Sequence, residues 1–171
     1  MKRIVLVAAL LLSASFPASA QEAGAVGIAM GYPANVALVW QVSDQLAIQP
    51  DFTFTHFSLS SPVSSETPSG TAATYGIGAR LYTSANGNLR TYIAPRYAYG
   101  RGTTSSNSTT TVHAVLGAFG AQYAAAPRFS VYGQVGVAYT RETIEREGNS
   151  PTSTSKDVGI RSGVGVIFYF K

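Results

Sequence analysis

Cysteine is absent from the 171-residue sequence, and charged side chains make up only 12% of it. Without cysteine there is no disulfide framework, so an exported chain of this size needs another source of stability. The charged share is about half the roughly 25% typical of soluble domains. A protein whose outer surface faces lipid would account for both features, because lipid replaces the charged covering that water requires.

Long apolar runs are also missing, because no stretch after residue 20 approaches the roughly 18 continuous apolar residues of a membrane-spanning helix. A spanning structure without helices is a closed β-barrel, since an open sheet edge would leave backbone groups unpaired in lipid. Metal ligands are sparse, with two histidines and no cysteine. The G-x-G segments at Gly76 and Gly163 lie inside predicted strands, which excludes a phosphate-binding loop. We therefore predict no metal and no cofactor.

The first 20 residues have the pattern of a secretory signal peptide. Lys2 and Arg3 precede an apolar run that extends from residue 4 to residue 12, and the small residues 18–20 end the segment. The run is too short for an anchor helix, so we predict a signal peptide at 1–20 that is cleaved, and one domain at 21–171. The remaining basic residues form no run or stripe, which argues against a nucleic-acid partner.

Apolar residues recur at every second position over most of the chain, as in Val36, Leu38, Trp40 and Val42. This period is typical of strands with one apolar face. The pattern predicts eight strands at about 24–32, 35–43, 46–59, 72–84, 89–102, 110–124, 128–142 and 156–170. Pro50 and Pro95 fall in the middle of predicted strands, where each removes a ladder donor, and we expect bulges there.

The connections between these strands alternate in length. Tight turns are predicted at 44–45, 86–88 and 126–127, whereas longer polar segments occupy 60–71, 103–109 and 143–155. Short turns on one rim and long loops on the other are typical of outer-membrane barrels. We therefore predict an all-β fold, an eight-stranded antiparallel up-and-down transmembrane β-barrel.

The last predicted strand is strictly alternating, with Val164, Val166, Phe168 and Phe170 on one face. This strand and the turn pattern resemble the outer-membrane β-barrel family of the eight-stranded OmpA/OmpX type, although Lys171 follows the final aromatic residue. The resemblance covers residues 21–171. It implies location in the outer membrane of a Gram-negative-type bacterium and recognition of the C-terminal strand by the barrel assembly machinery.

The face opposite the apolar series points into the barrel and carries charged and amide side chains. We predict a polar lumen network made of Asp51, Arg80, Arg96, Gln134 and Arg161. An eight-stranded interior is just wide enough for side chains to fill, so a structural plug is favoured. The alternative is a gated, weakly anion-selective path past the arginines.

One constellation has the residue types of a hydrolase. His56 and Ser58 share a strand face, and Glu66 follows in the next loop. The pair resembles the His-x-Ser-Asn motif of lipid A deacylase barrels, but Leu59 stands where that motif has Asn. We predict no catalytic residue and a protein that is not an enzyme.

The expected function is structural or interactive, with polar loops presented outside the cell. The partners we expect are outer-membrane lipids and lipopolysaccharide, and other envelope proteins or host surfaces. A small porin-like channel for water or small solutes is the main alternative, followed by a lipid A-modifying enzyme. A soluble periplasmic barrel that encloses an apolar ligand is disfavoured, because the apolar faces are rich in bulky aromatic residues while the opposite faces are small or charged.

Overall fold

A computed structural model describes residues 23–32, 35–58, 69–104, 108–146 and 152–170. The predicted signal peptide lies outside these residues and stays a prediction. The described residues form eight strands: β1 (Val26–Tyr32), β2 (Asn35–Ser43), β3 (Leu46–Ser58), β4 (Ser69–Asn86), β5 (Leu89–Thr104), β6 (Ser108–Ala126), β7 (Phe129–Arg146) and β8 (Ser153–Tyr169). Among them there is no helix long and apolar enough to cross a membrane.

The eight strands form one closed ring in chain order, and every neighbouring pair is antiparallel. The ring closes where β1 pairs with β8, with Gly27 opposite Tyr169. This confirms the predicted all-β, eight-stranded, up-and-down barrel. The observed strands extend several residues further toward the long loops, since β4 begins at Ser69 and β7 ends at Arg146. The start of β1 and the end of β8 both lie on the rim of the short turns.

Each of the three short turns has two residues, at 44–45, 87–88 and 127–128. Gly87 has a φ of 57°, the left-handed conformation that glycine adopts without steric cost. A register shift precedes each of these turns, at 41/43, 82/84 and 124/126. These irregularities accommodate the strong twist of tight hairpins, so the bulges of this barrel cluster on one rim.

The expected bulges at the two prolines are absent from the described register. The ladder between β2 and β3 skips Pro50, and the ladder between β4 and β5 skips Pro95, yet the register is the same on both sides of each gap. On its other side each proline strand pairs without interruption, with Pro50 opposite Ile77 and Pro95 opposite Gly117. A missing N–H thus removes bonds to one neighbour without inserting a residue.

The outward face of the ring is an apolar belt, and the inward face is small or polar. Large outward side chains are exposed on every strand, including Met30, Trp40, Phe52, Ile77, Ile93, Phe119, Val135 and Ile160. Along β5 the belt runs from Leu89 to Tyr99, a rise of roughly 25 Å along the axis at ordinary strand rise and tilt. That height matches the apolar band of transmembrane barrels, about 25 Å.

Candidate functional site

The candidate site is the lumen of the barrel. The half of the lumen nearer the short turns is centred on Arg80 of β4, which is only 1% exposed. The guanidinium Nε donates to Gln49 Oε1 at 2.9 Å, and Nη1 donates to Gln122 Oε1 at 3.0 Å. An arginine in this position stays charged, because guanidinium is not deprotonated in proteins. Its charge must therefore be compensated by the groups around it.

Aromatic rings supply part of that compensation. The Arg80 guanidinium carbon lies 4.3 Å from the ring centroid of Tyr132 and 5.0 Å from that of Tyr92. Both distances fall within the range of cation–π attraction, which is stronger when the cation is desolvated. Arg80 forms no ion pair within the described part of the chain. Amide oxygens and tyrosine rings therefore hold this charge without a carboxylate.

Gln122 of β6 connects this centre to two further tyrosines. Its Oε1 accepts from Tyr82 Oη at 2.9 Å as well as from Arg80, and its Nε2 donates to Tyr169 Oη at 3.2 Å. The network therefore joins β4, β6 and β8 across the interior. We call Arg80, Gln122, Tyr82, Tyr92 and Tyr132 the lumen plug.

Arg90 of β5 closes the lumen below the plug. Its guanidinium carbon lies 3.7 Å from the ring centroid of Tyr82, and Nη2 donates to the backbone carbonyl of Asp44 in the first turn. Two other nitrogens, Nε and Nη1, have no hydrogen-bond partner among the described residues, and the same holds for Gln41 Oε1. A second cation is therefore buried at the turn rim, with a turn carbonyl and a ring as its neighbours.

Asp51 and Arg96 form a separate layer nearer the loops. Arg96 Nε donates to Asp51 Oδ2 at 2.7 Å, and Nη2 donates to Oδ1 at 2.6 Å, a bidentate pair with the carboxylate side chain 1% exposed. Gly76 stands directly opposite Asp51 in the register, and a Cβ there would collide with the carboxylate. The missing side chain on β4 thus makes room for the ion pair.

A cavity of about 260 Å³ lies on the loop side of these layers, and Arg96, Gln134 and Arg161 are part of its wall. Gln134 Oε1 accepts from Tyr92 Oη at 3.2 Å, so it connects the plug to the cavity. Arg161 is exposed, and its Nη2 lies 3.5 Å from Asp157 Oδ2. We call this space the vestibule.

The five residues predicted for the lumen thus occupy three places. Asp51 and Arg96 pair with each other, Arg80 lies in the plug, and Gln134 and Arg161 line the vestibule. Arg161 contacts neither Asp51 nor Arg80 in any described hydrogen bond. The network therefore consists of layers along the axis rather than one cluster.

Gln122 is missing from the predicted set, although the plug depends on it. The signal was present in the alternation of β6, because Gln122 shares a strand face with Ala118 and Gly120, which are small and buried. A long amide among small inward residues is what a network across the lumen needs. The pairing partner itself has no local signal, since Arg80 lies 42 residues away.

The candidate hydrolase residues do not face the lumen. His56 and Ser58 are exposed near the loop end of β3, and the two residues that would complete the motif, Leu59 and Glu66, lie outside the described residues. The second histidine, His113, is exposed on β6, where Nδ1 lies 2.8 Å from Tyr97 Oη. No group of three potential metal ligands occurs within the described ranges.

Several solved structures are similar to this chain, whereas no family model matches it and no curated protein matches its sequence. A major outer membrane protein from Thermus thermophilus has 14% identity and a TM-score of 0.46, with 85% of this chain and 98% of that chain covered. CarO2 of Acinetobacter baumannii has 15% identity and a TM-score of 0.47, with 88% and 100% covered. CarO from the same species has 12% identity and a TM-score of 0.43, with 89% and 100% covered.

Proposed function

We propose that this protein is an integral outer-membrane β-barrel with a closed interior, whose role is structural or interactive at the cell surface. The apolar belt around the whole ring supports membrane insertion, because water would not favour so many exposed large apolar side chains. The predicted signal peptide supports export. The short turns would then face the periplasm and the long polar connections the outside.

The filled lumen is the observation that carries the closed interior. At the level of the plug the side chains of Arg80, Tyr92 and Gln122 are almost fully buried, and Val39 and Ile167 are buried beside them. Hydrogen bonds and ring contacts connect the plug across the interior. A solute could pass through the barrel only if these contacts broke. The role of the barrel is therefore to anchor its exposed surface in the membrane.

A small channel is the second candidate, and the vestibule favours it. This cavity is lined by Arg96 and Arg161, two of the arginines expected along an anion path. The plug also contains no ion pair within the described residues, so hydrogen bonds from Arg80 to uncharged amide groups, together with ring contacts, hold it. Channel function would then depend on movement of Arg80.

Single-channel recording distinguishes these functions. The full chain is expressed with its own leader, purified from membranes, checked by heat-dependent gel mobility, and inserted into a planar bilayer. We expect the wild-type barrel to be silent and Arg80→Ala/Tyr92→Ala to conduct in discrete steps, because that variant removes the central cation and one of the rings from the plug. Arg161→Ala, which alters only the vestibule, is the matched control and should stay silent.

Reproducible steps from the wild-type protein would contradict the closed interior and favour the channel. A silent double variant would overturn the assignment of the plug, because other side chains would then close the lumen. Recovery of the protein from the soluble periplasm rather than from outer membranes would contradict membrane insertion itself.

A further inference from the structure

The basic residues of this chain are distributed unevenly around the ring. In the described part of β1 to β4, Arg80 is the one Lys or Arg, and it faces the lumen, while His56 is a single exposed histidine near the loop end of β3. The outward surface of β5 to β8 carries exposed Arg101, His113, Arg141 and Lys156 near the loop ends of the strands. We call these four side chains the basic row.

The register brings the basic row together. Arg141 of β7 is directly opposite His113 of β6 on one side and directly opposite Lys156 of β8 on the other. Arg101 lies two residues beyond Tyr99, which is opposite His113. Directly opposed side chains on one sheet face have Cβ atoms about 5 Å apart. Three neighbouring strands therefore present one continuous basic surface.

The basic row lies immediately at the loop-side edge of the apolar belt. Two residues closer to the turns on the same faces are Val115 of β6, Tyr139 of β7 and Val158 of β8, all exposed. Tyr97 and Tyr99 of β5 complete this edge. Tyrosines at such a boundary are typical of headgroup depth in a membrane. In the proposed membrane orientation, the four side chains lie at the depth of lipid headgroups on the outer side.

The arrangement is electrostatically unfavourable by itself. Like charges directly opposite each other across two strands destabilise the pair, and Arg141 and Lys156 stand in that relation. No member of the basic row forms an ion pair with a described carboxylate. Glu145 is on the outward face of β7 but four residues further from the belt, and Glu142 and Asp157 alternate onto the inward face.

Two neighbouring tyrosines hold the His113 ring on the outward surface. Its Nδ1 lies 2.8 Å from Tyr97 Oη, and the Tyr99 ring packs edge-on with centroids 5.3 Å apart. The His113 Nε2 atom has no hydrogen-bond partner among the described residues. An anion seated between His113, Arg141 and Lys156 would satisfy all three and relieve the repulsion between the two cations.

We propose that the basic row binds the phosphate groups of a lipid headgroup in the outer leaflet. The partner is a lipid, because a lipid whose phosphate lies at this depth would place its acyl chains beside the exposed apolar side chains of β6 to β8. The exposed Lys and Arg side chains of the row occur only on β5 to β8 among the described strands, which makes this a discrete binding site on one side of the barrel. The inference rests on the proposed membrane insertion.

Native mass spectrometry of detergent-purified full-length protein tests the site. The probe is bisphosphorylated lipid A, compared with the same lipid after removal of both phosphates. Wild-type protein should retain the phosphorylated form preferentially. Arg141→Gln/Lys156→Gln should weaken that binding about 30-fold, on the basis of about 1 kcal/mol for each cation near an anionic lipid surface.

Arg128→Gln is the control for the double variant, because Arg128 is an exposed arginine in a turn on the opposite rim. It should leave the preference unchanged. Inorganic phosphate at millimolar concentration should not displace the lipid, since it lacks the acyl contacts, and displacement would show a simple anion site instead.

Equal retention of the two lipid forms by wild-type protein would overturn the inference. Equal effects of Arg128→Gln and of Arg141→Gln/Lys156→Gln would overturn it as well. Heat-dependent gel mobility and membrane fractionation of each variant separate this failure from a failure to insert. A folded, membrane-located barrel without phosphate preference would refute the lipid site alone.

Discussion

At the scale of single residues, the energetic cost of burying a charge is offset when an oppositely charged partner is present. Asp51 and Arg96 form a bidentate pair, and the Asp51 side chain is 1% exposed. Asp51→Asn keeps the volume but leaves the guanidinium without its counter-ion. We expect the free energy of unfolding to fall by about 2 to 3 kcal/mol, allowing for the partial exposure of Arg96. Urea unfolding in lipid vesicles, followed by heat-dependent gel mobility, measures the change.

Asp157→Asn is the control for that substitution, because Asp157 forms the other described ion pair. Its side chain is 62% exposed and lies 3.5 Å from Arg161. Exposed pairs of this kind contribute about 0 to 1 kcal/mol. Equal destabilisation by the two asparagine variants would show that the buried Asp51–Arg96 pair stabilises the barrel no more than the exposed Asp157–Arg161 pair does.

Gly120 and Gly117 of β6 provide a second matched comparison. A Cβ on Gly120 would collide with the ring of Tyr92, whereas a Cβ on Gly117 would meet nothing within 4 Å. Gly120→Ala should lower the free energy of unfolding by about 1 to 3 kcal/mol, the usual effect of overpacking. Gly117→Ala should change it little, and the same urea titration compares them. If Gly120→Ala were as stable as the wild type, the plug would be less tightly packed than the contacts indicate.

Residue types and alternation predicted which side chains face inward, but not which of them meet. Asp51, Arg80, Arg96 and Gln134 all line the interior, as their strand faces indicate. Their partners depend on the stagger between strands, which brings Arg80 to Gln122 rather than to Asp51. The stagger is a property of the closed ring, so it cannot be predicted from the sequence of a single strand.

At the scale of elements, the alternation and the turn residues predicted all eight strands. They did not predict where the strands end or how the prolines are accommodated. The strands extend beyond the apolar pattern because threonine-rich segments continue the ladder, as between Thr110 and Ile144. The prolines interrupt one ladder each without a bulge, because neighbouring strands hold the register. Local pattern therefore predicts apolar strand cores better than it predicts strand ends.

The C-terminal segment closes the ring and is also expected to contain the assembly signal. Phe170, directly after β8, allows the two roles to be tested separately. Its backbone N–H donates to Val26 O at 2.8 Å, while its side chain is exposed. Phe170→Ala keeps the backbone hydrogen bond, so the free energy of folding in detergent should change by less than about 1 kcal/mol. If the assembly machinery reads the aromatic ring, the amount of folded protein in cell membranes should fall, as measured by fractionation and gel mobility.

Phe129→Ala is the control for this prediction. Its ring packs against Phe168, with centroids 4.9 Å apart, but it lies at the start of β7. Phe129→Ala should leave assembly in cells in proportion to its refolding yield. If Phe170→Ala reduced both measures equally, the C-terminal ring would be a stabilising contact rather than a recognition signal.

At the scale of the whole molecule, the inside of this barrel contains what water-soluble proteins place outside, and the reverse. Buried arginine, glutamine and aspartate fill the centre, and large apolar side chains cover the surface. Such an inversion is compatible with lipid, because every strand is paired on both sides and no edge is left open among the described strands. Composition and alternation together predicted it, since a low charged fraction and a strict period of two leave few other folds for the chain.

The inversion makes the response to a surface charge depend on the solvent around the barrel. Val135 is 52% exposed and lies midway along β7 between Phe129 and Arg141, near the middle of the belt. In a bilayer, Val135→Arg should lower the free energy of unfolding by about 2 to 4 kcal/mol, the usual cost of arginine at the midplane. Thr154→Arg, exposed at the loop end of β8, should cost about 0 to 1 kcal/mol. On a surface that faces water, both substitutions would stay within about 0.5 kcal/mol of the wild type, so urea titrations of the two variants in vesicles test whether the belt faces lipid.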